Sequence, residues 1–442
     1  MSGIASILFK KGYKVQGTDL QESIYTKQLM KLGVKVYFGH RKDNIKDAKT
    51  MVYSGAVSSD NEEFLFAKQN GLKIFSRGEM LANLMEESIG ISVCGSHGKT
   101  TTSSLISFLF FRAGLDPTFV VGGNIRNLDT NVCLGSSKLF IAEADESDGS
   151  FLMLSPLFEV ITNIEEEHMD YYKNLENLKN AFLKHICNIR KDGFLIAGRD
   201  NKIIKNILTT HKKDIKAQII TYGLGSPCSI YASNIHTDNG KTYFDVTFKG
   251  KNLGNIQIFL LGIHNVQNSL ACIAVGLLNG IKWEKIAEIL PDFKGVNRRF
   301  EIKGKYDGAL VIDDYAHHPT EIKTCLKMAD ELKPTRKIAV FQPHRYTRTK
   351  YLAKEFAEAL KEVDIPILVP IYGASEKPIK GVSSRLICEH LKNLGVSALH
   401  FEEREEVVNY LKKIIKPDDI VLTIGAGDVY KIGEELIRKE CG

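Results

Sequence analysis

Residues 91–110 read ISVCGSHGKTTTSSLISFLF, and the order of events in that stretch sets the class of the chain. An apolar run with Ile91 and Val93 ends at Gly95. Gly95-Ser96-His97-Gly98-Lys99-Thr100 follows, and then an apolar segment of helical character. Strand, glycine turn and helix in that order form the setting of a phosphate loop. Gly95 and Gly98 carry no Cβ, so backbone N–H groups there can approach phosphate oxygens. The start of the helix adds a favourable dipole. In such a loop Lys99 reaches the β- and γ-phosphates and the Thr100 hydroxyl sits on Mg2+. The position five before Gly98 is Val93 rather than glycine, so this is a shortened G-x-x-G-K-T loop, with Thr101 and Thr102 behind it.

The 442 residues leave room for two to four domains, each able to bury a core. The net charge of +6 is spread along the chain with no Lys/Arg tract, which argues against a nucleic-acid footprint and suits an anionic substrate. Eight cysteines lie scattered, with no C-x-x-C pair and no metal spacing, as expected of a reduced, cytosolic protein. No apolar run is long enough to span a membrane, and no signal peptide is evident.

Short apolar runs alternating with helical patterns predict α/β architecture with a largely parallel sheet. In the first segment, 1–86, a helix occupies the start, Gly12 turns the chain, and a strand Tyr13–Gly17 leads to Asp19, placed where an acidic residue binds a ribose hydroxyl. Ser54, Gly55 and Arg77 follow other strands, and Arg77 can meet a pyrophosphate with two donors. In the second segment, 87–296, the strand Leu139–Ala142 delivers Glu143, Asp145, Glu146 and Asp148, carboxylates suited to a Mg2+ held by the phosphate-loop threonine. The strand Val160–Thr162 ends at Asn163. His168 comes soon after, either as a ligand of a second metal or as a substrate contact. His264 and Asn265 open an Ala-rich helix. Asn265 and Asn268 share a face that would hold an adenine edge or cap the helix. In the third segment, 297–442, Asp313-Asp314-Tyr315-Ala316-His317-His318 follows the strand Ala309–Ile312, with Pro319 starting a helix. His344-Arg345-Tyr346-Thr347-Arg348 follows the strand Lys337–Phe341, and Gly425-Ala426-Gly427-Asp428 follows the strand Ile420–Ile424. Arg345 and Arg348 fall within one helical turn and would form a carboxylate clamp.

Eight motifs in this order, GSHGKTTT, EADESDGSF, TNIEEEHMD, GIHNVQN, RRFE, DDYAHHPTE, FQPHRYTRT and GAGDV, resemble those of the Mur ligases of bacterial cell-wall synthesis over essentially the whole chain. The resemblance implies three domains: a Rossmann-like UDP-binding domain, a central P-loop ATPase-type domain and a Rossmann-like amino-acid-binding domain. It implies an ATP-dependent ligase that joins L-alanine to the lactyl carboxylate of UDP-N-acetylmuramate through an acyl phosphate, acting in the cytoplasm as a monomer or homodimer. By the same resemblance the loop from Gly95 to Thr101 serves ATP, Lys99 is catalytic, Thr100 and Glu143 hold Mg2+, and His168 attends a second Mg2+. Asn265 and Asn268 approach adenine, and Arg299 and Asp314 contact ATP. Asp19, Ser54, Arg77 and Ser147 serve the UDP-sugar, while His317, His344, Arg345 and Arg348 hold the incoming amino acid.

The family pattern opens with a strand and a Gly-rich loop, whereas Met1-Ser2-Gly3 matches only the tail of that loop. A misplaced start codon is the expected explanation, with a true truncation as the other, and the chain as written is expected to bind UDP-sugar poorly. Within the family, the ligase that recycles murein tripeptide shares several motifs, but HRYTRT favours the alanine enzyme. A nucleotide-binding remnant without catalysis is the alternative of a different class.

Overall fold

The computed structural model describes residues 1–374 and 376–438. Short apolar runs closed by glycine, asparagine or aspartate become strands along the whole chain. They are β1 (Gln16–Asp19), β2 (Lys35–Phe38), β3 (Thr50–Tyr53), β4 (Lys73–Ser76), β5 (Ile89–Cys94), β6 (Thr118–Ile125), β7 (Thr130–Cys133), β8 (Leu139–Glu143), β9 (Phe158–Ile161), β10 (Phe194–Gly198), β11 (Gln218–Gly223), β12 (Ile230–Asp238), β13 (Lys241–Phe248) and β14 (Lys251–Ile258). A second series comprises β15 (Glu301–Tyr306), β16 (Ala309–Asp314), β17 (Lys337–Phe341), β18 (Ile365–Leu368), β19 (Leu399–His400) and β20 (Ile420–Ile424). The chain forms two compact units. One comprises Met1–His236, Tyr243–Ile258 and His264–Lys294; the other comprises Thr237–Thr242, Phe259–Ile263 and the chain from Gly295 on.

Apart from the hairpin end at Thr237–Thr242, β5 to β14 belong to the first unit and form one sheet in the order β14-β13-β12-β11-β10-β9-β5-β8-β6-β7. β5 lies between β8 and β9 and runs parallel to both, with Val93 opposite Glu143 and Cys94 opposite Ile161. The chain leaves β5 for one side of the sheet and returns on the other, so the C-terminal ends of β5, β8 and β9 meet where the strand order reverses. The sheet is less parallel than the sequence predicts. β6 and β7 pair antiparallel. Two-residue turns join β12 to β13 and β13 to β14, with positive φ at both central residues (Asn239 47°, Gly240 72°; Lys249 48°, Gly250 80°), the geometry of tight hairpins.

The four strands before β5 do not join that sheet. β1 pairs with β2 and β3 with β4, each pair parallel and separate from the other. The predicted strand Tyr13–Gly17 sits further along, at Gln16–Asp19, because the helix Ser2–Lys10 closes with a turn at Lys11-Gly12 (Gly12 φ 90°) that leaves Tyr13 in solvent.

The core of this unit packs Ile7, Cys94, Phe140, Ile161, Phe182 and Leu195 between helices and sheet. In the second unit the sheet runs β15-β16-β20-β17-β18-β19. One face buries Ile312, Phe341, Phe356 and Leu422, and the other Val311, Val340, Val407 and Val421, which is the two-sided burial of a doubly wound sheet. β16 outlasts its predicted end at Ile312: Asp313 and Asp314 stay in the strand, paired in register with Thr423 and Ile424 of β20.

Candidate active site

The phosphate loop is tied down by the segment that follows β9. Ser96 N–H donates to the Asn163 carbonyl (3.0 Å), His97 N–H to Asn163 Oδ1 (2.9 Å) and Thr162 Oγ1–H to the His97 carbonyl (2.6 Å), while Ser96 Oγ accepts from Glu165 N–H (2.8 Å). His97 reaches Glu165 with Nε2 at 3.3 Å. Gly95 (φ 127°) and Gly98 (φ 81°) sit in the left-handed region. A methyl on Gly98 would lie 2.8 Å from Asn268 Oδ1. The helix Lys99–Arg112 begins at this point, so Thr100 and Thr101 lie in its first turn. Asn265 and Asn268 are buried near the start of the helix Ile263–Leu278, with Asn268 Nδ2 donating to Asn265 Oδ1 (3.1 Å). The structure therefore places Asn268 against the loop itself. His264 beside them is held neutral, its pKa lowered to about 4 by burial and by the neighbouring His97.

Lys99 Nζ donates to the Gly95 carbonyl (2.5 Å), the Ser96 carbonyl (3.1 Å) and Glu146 Oε1 (2.7 Å). Burial opposes its charge, but Glu146 and Glu143 outweigh burial and raise its pKa. His168 (φ 58°) brings Nε2 to 3.5 Å from the same Glu146 oxygen and 4.0 Å from Glu167. Its pKa too is raised against burial, chiefly by Glu146. Glu146, Glu167 and His168 offer ligand atoms within 4.8 Å of one another. Glu146 Oε2 is buried with no hydrogen-bond partner. A second cluster forms around Gly122: its N–H donates to Glu143 Oε2 (3.0 Å), and a methyl there would lie 2.6 Å from that oxygen and 2.8 Å from Thr100 Oγ1. Thr100 and Glu143 thus converge at this glycine. The glycine that makes room for them escaped sequence reading, although Gly122-Gly123 inside a strand is a sign of close approach. An orphaned buried carboxylate oxygen, two groups of hard oxygen donors and the Lys99 ammonium fit a triphosphate with its cations.

Three of the four residues predicted for the UDP-sugar form one neighbourhood. Arg77 pairs with Asp145 (3.1 Å), whose other oxygen accepts Ser147 N–H (3.0 Å). Asp145 has a lowered pKa: burial raises it, but hydrogen bonds from Ser147 and the charge of Arg77 prevail. Ser54 follows β3, and a methyl on the adjacent Gly55 would stand 3.6 Å from Asp148. Asp19 ends β1, its carboxylate turned back onto Leu20 N–H (2.7 Å).

In the second unit His317, His344 and Arg348 come together. Arg348 Nη1 lies 3.1 Å from His344 Nδ1, and the His317 and His344 rings stand 5.6 Å apart. His344 stacks on Tyr372 at 5.9 Å. Burial lowers the pKa of each histidine to about 4. For His344 the neighbouring His317, Arg348 and Arg345 add to it; for His317, Arg348 and Arg299 add while Glu321 opposes. Arg345 (φ 71°) precedes the helix Tyr346–Leu360 and is exposed. Of the paired arginines, Arg298 is the one built into the framework. It donates to Asp313 (3.0 Å) and to the carbonyls of Gly425 (2.6 Å) and Gly427 (2.9 Å), between the rings of Tyr315 and Tyr430. Arg299 lies nearer the surface, 3.9 Å from Glu321. Asp314 accepts Phe300 N–H and Ala316 N–H (2.7 Å each), and burial lifts its pKa to about 6. Its carboxylate therefore shapes the turn that carries Arg298 and Arg299.

A phosphate-loop α/β enzyme with a separate unit that groups histidines and arginines is the class these features define. Comparison with known proteins narrows it. Residues 1–88 match the Mur ligase family catalytic domain, 93–276 the Mur ligase middle domain and 298–427 the Mur ligase glutamate ligase domain. A UDP-N-acetylmuramate–L-alanine ligase of Endomicrobium trichonymphae is 45% identical over 438 residues, covering 99% of this chain and 96% of that protein. The ligase of the same name from Aquifex aeolicus is 42% identical over 440 residues, covering 99% and 95%. Among solved structures, the UDP-N-acetylmuramate–alanine ligase of Thermotoga maritima superposes with a TM-score of 0.84 at 27% identity, covering 99% of this chain and 95% of that one. A murein peptide ligase of Psychrobacter arcticus shares the fold (TM-score 0.73, 22% identity, 99% and 95% covered). The chain belongs to the Mur ligase family, with its three-domain architecture, and is an ATP-dependent ligase. Among the described residues no helix is long and apolar enough to cross a membrane.

Proposed function

We propose that this chain joins L-alanine to the lactyl carboxylate of UDP-N-acetylmuramate, converting ATP to ADP and phosphate, in cytoplasmic peptidoglycan precursor synthesis, with domain limits near residues 86/87 and 296/297. The observation that carries the reading is the presence in one chain of a carboxylate-flanked phosphate-loop lysine and a half-buried His317–His344–Arg348 group whose guanidinium suits a carboxylate. The full-length relatives named for this reaction support it.

A carboxylate is a poor acyl donor. The reaction therefore passes the γ-phosphoryl group to the lactyl carboxylate, and the alanine amine attacks the acyl phosphate with loss of phosphate. Lys99 exchanges Glu146 and the loop carbonyls for phosphate oxygens. Thr100 and Glu143 would hold one Mg2+ and Glu146, Glu167 and His168 a second, supplying charge neutralisation among the triphosphate and the two carboxylates. Arg348, beside His344, would turn its guanidinium onto the alanine carboxylate. His317 and His344 stay neutral near pH 7 and so add no charge of their own to that pocket. Arg77 and Ser147 would meet the UDP-sugar, with Ser54 and Asp19 at the neighbouring strand ends.

The test is phosphate release with ATP, Mg2+ and UDP-N-acetylmuramate, adding L-alanine or murein tripeptide to separate reactions. Release that depends on L-alanine is expected. Release with tripeptide alone reassigns the chain to recycling, and no release with either acceptor, ATP still being bound, overturns this acceptor reading for the chain as written.

A further inference from the structure

Three side chains without a part in this chemistry meet in the interior of the first unit. Cys94 ends β5, Glu159 lies in β9 and His185 in the helix Leu175–Cys187; each is 0% exposed. Ser92 and Glu159 are direct cross-strand partners. Cys94, two residues on from Ser92, points to the same face of the sheet. His185 comes from the helix over that face, its ring 4.7 Å from Phe151. The sulfur, a carboxylate oxygen and a ring nitrogen all lie within 4.8 Å of one another.

Hydrogen bonding within the cluster leaves this polarity unanswered. Ser92 Oγ donates to Glu159 Oε2. His185 Nε2 stands 3.0 Å from that same oxygen but without hydrogen-bond alignment, and both ring nitrogens of His185 and Glu159 Oε1 remain without a partner. Buried polar groups are ordinarily satisfied, so three orphan atoms in one cluster, beside a thiol, call for a central partner. Sulfur, imidazole nitrogen and carboxylate oxygen together are a ligand set for a borderline divalent cation. Bonds of about 2.0–2.3 Å around a tetrahedral ion set ligand atoms roughly 3.3–3.7 Å apart, which small side-chain adjustments reach from the present spacing. Thiolate and carboxylate would cancel the charge of a divalent ion, leaving a neutral buried unit.

We propose that Cys94, Glu159 and His185 form a buried zinc site, distinct from the Mg2+ positions, with Ser92 orienting Glu159 and a water or the Ser92 oxygen as fourth ligand. Cys94 directly precedes Gly95, so the ion would pin the root of the phosphate loop to the covering helix. The site stands apart from the choice of amino-acid substrate. Its ligands come from positions 94, 159 and 185, which is why cysteine spacing alone does not reveal it.

The experiment is metal analysis of the full chain, made without a polyhistidine tag in zinc-supplemented medium and desalted without chelator, beside Cys94→Ala and His185→Phe. About one zinc per chain is expected in the unaltered protein, at least tenfold less in each variant, and Co2+ substitution should give a thiolate charge-transfer band. Less than about a tenth of an equivalent of zinc together with no cobalt band, or a Cys94→Ala protein that keeps its full zinc, overturns the proposal. Should a variant fail to fold, the cobalt spectrum of the unaltered chain decides alone.

Discussion

The phosphate loop and the amino-acid group hold their ionisable side chains in opposite ways. Around Lys99, carboxylates surround cations. Burial works against the charge of Lys99 and His168, and Glu146 overrides it, so both pKa values rise. Around His344, arginines surround imidazoles, and burial and positive charge act together to lower the pKa to about 4. The first arrangement suits cations and a lysine lent to phosphate. The second offers guanidinium to a carboxylate without adding imidazolium. A ligase that gathers several anions needs both kinds of site.

Substitutions at each site should separate the two arrangements. The largest expected effect is at Lys99: Lys99→Met should lower the ligase rate by roughly 10²–10³-fold, read as phosphate release, and a loss below tenfold would remove Lys99 from the chemistry. Next, Arg348→Lys should raise the KM for L-alanine roughly 10- to 100-fold with little change in the KM for ATP, because lysine cannot reproduce a two-donor fork. A change confined to ATP would erase the distinction between the sites.

A third prediction concerns pH. The folded pKa of His317 lies below its unfolded value, so the stability it contributes is full above about pH 6.5 and is lost as pH falls toward about 4, a swing on the order of 2–3 kcal/mol. The raised pKa of His168 has the opposite sign, its contribution being present at low pH and lost as pH rises through the folded value. Denaturant unfolding at pH 7 and pH 4.5, compared between the unaltered chain and His317→Asn, should show the variant losing less on acidification; equal losses would contradict a neutral His317. The smallest effect belongs to Asn268→Ala. It should weaken ATP binding by a few-fold, about 1 kcal/mol, by freeing the loop at Gly98; a larger loss measured by calorimetry would point to direct contact of Asn268 with the nucleotide.

Much of this could be read in the sequence. The elements from β5 to the helix at Lys99, and β17 and β20, fall where apolar runs and glycines place them. The hairpins of β12 to β14 escaped notice, although Asn239-Gly240 is a strong turn signal, because an α/β reading looks for helices between strands. Adjacent Arg298 and Arg299 are indistinguishable in sequence. Only the fold turns one inward onto the Gly425 and Gly427 carbonyls and the other toward the surface. The choice of Glu146 as partner of Lys99 among four nearby carboxylates likewise depends on burial, which no spacing rule conveys.

The position of β5 has a consequence in time. Its partners β8 and β9 lie roughly 50 and 70 residues further along the chain, and pairing over such separations is slow to form because a long loop must close first. A nascent chain that has just emerged past Thr100 carries every residue of the phosphate loop but none of the strands that hold it. It gains its grip on nucleotide only after β9 has been made and docked, whereas the hairpins of β12 to β14 close locally as soon as they appear.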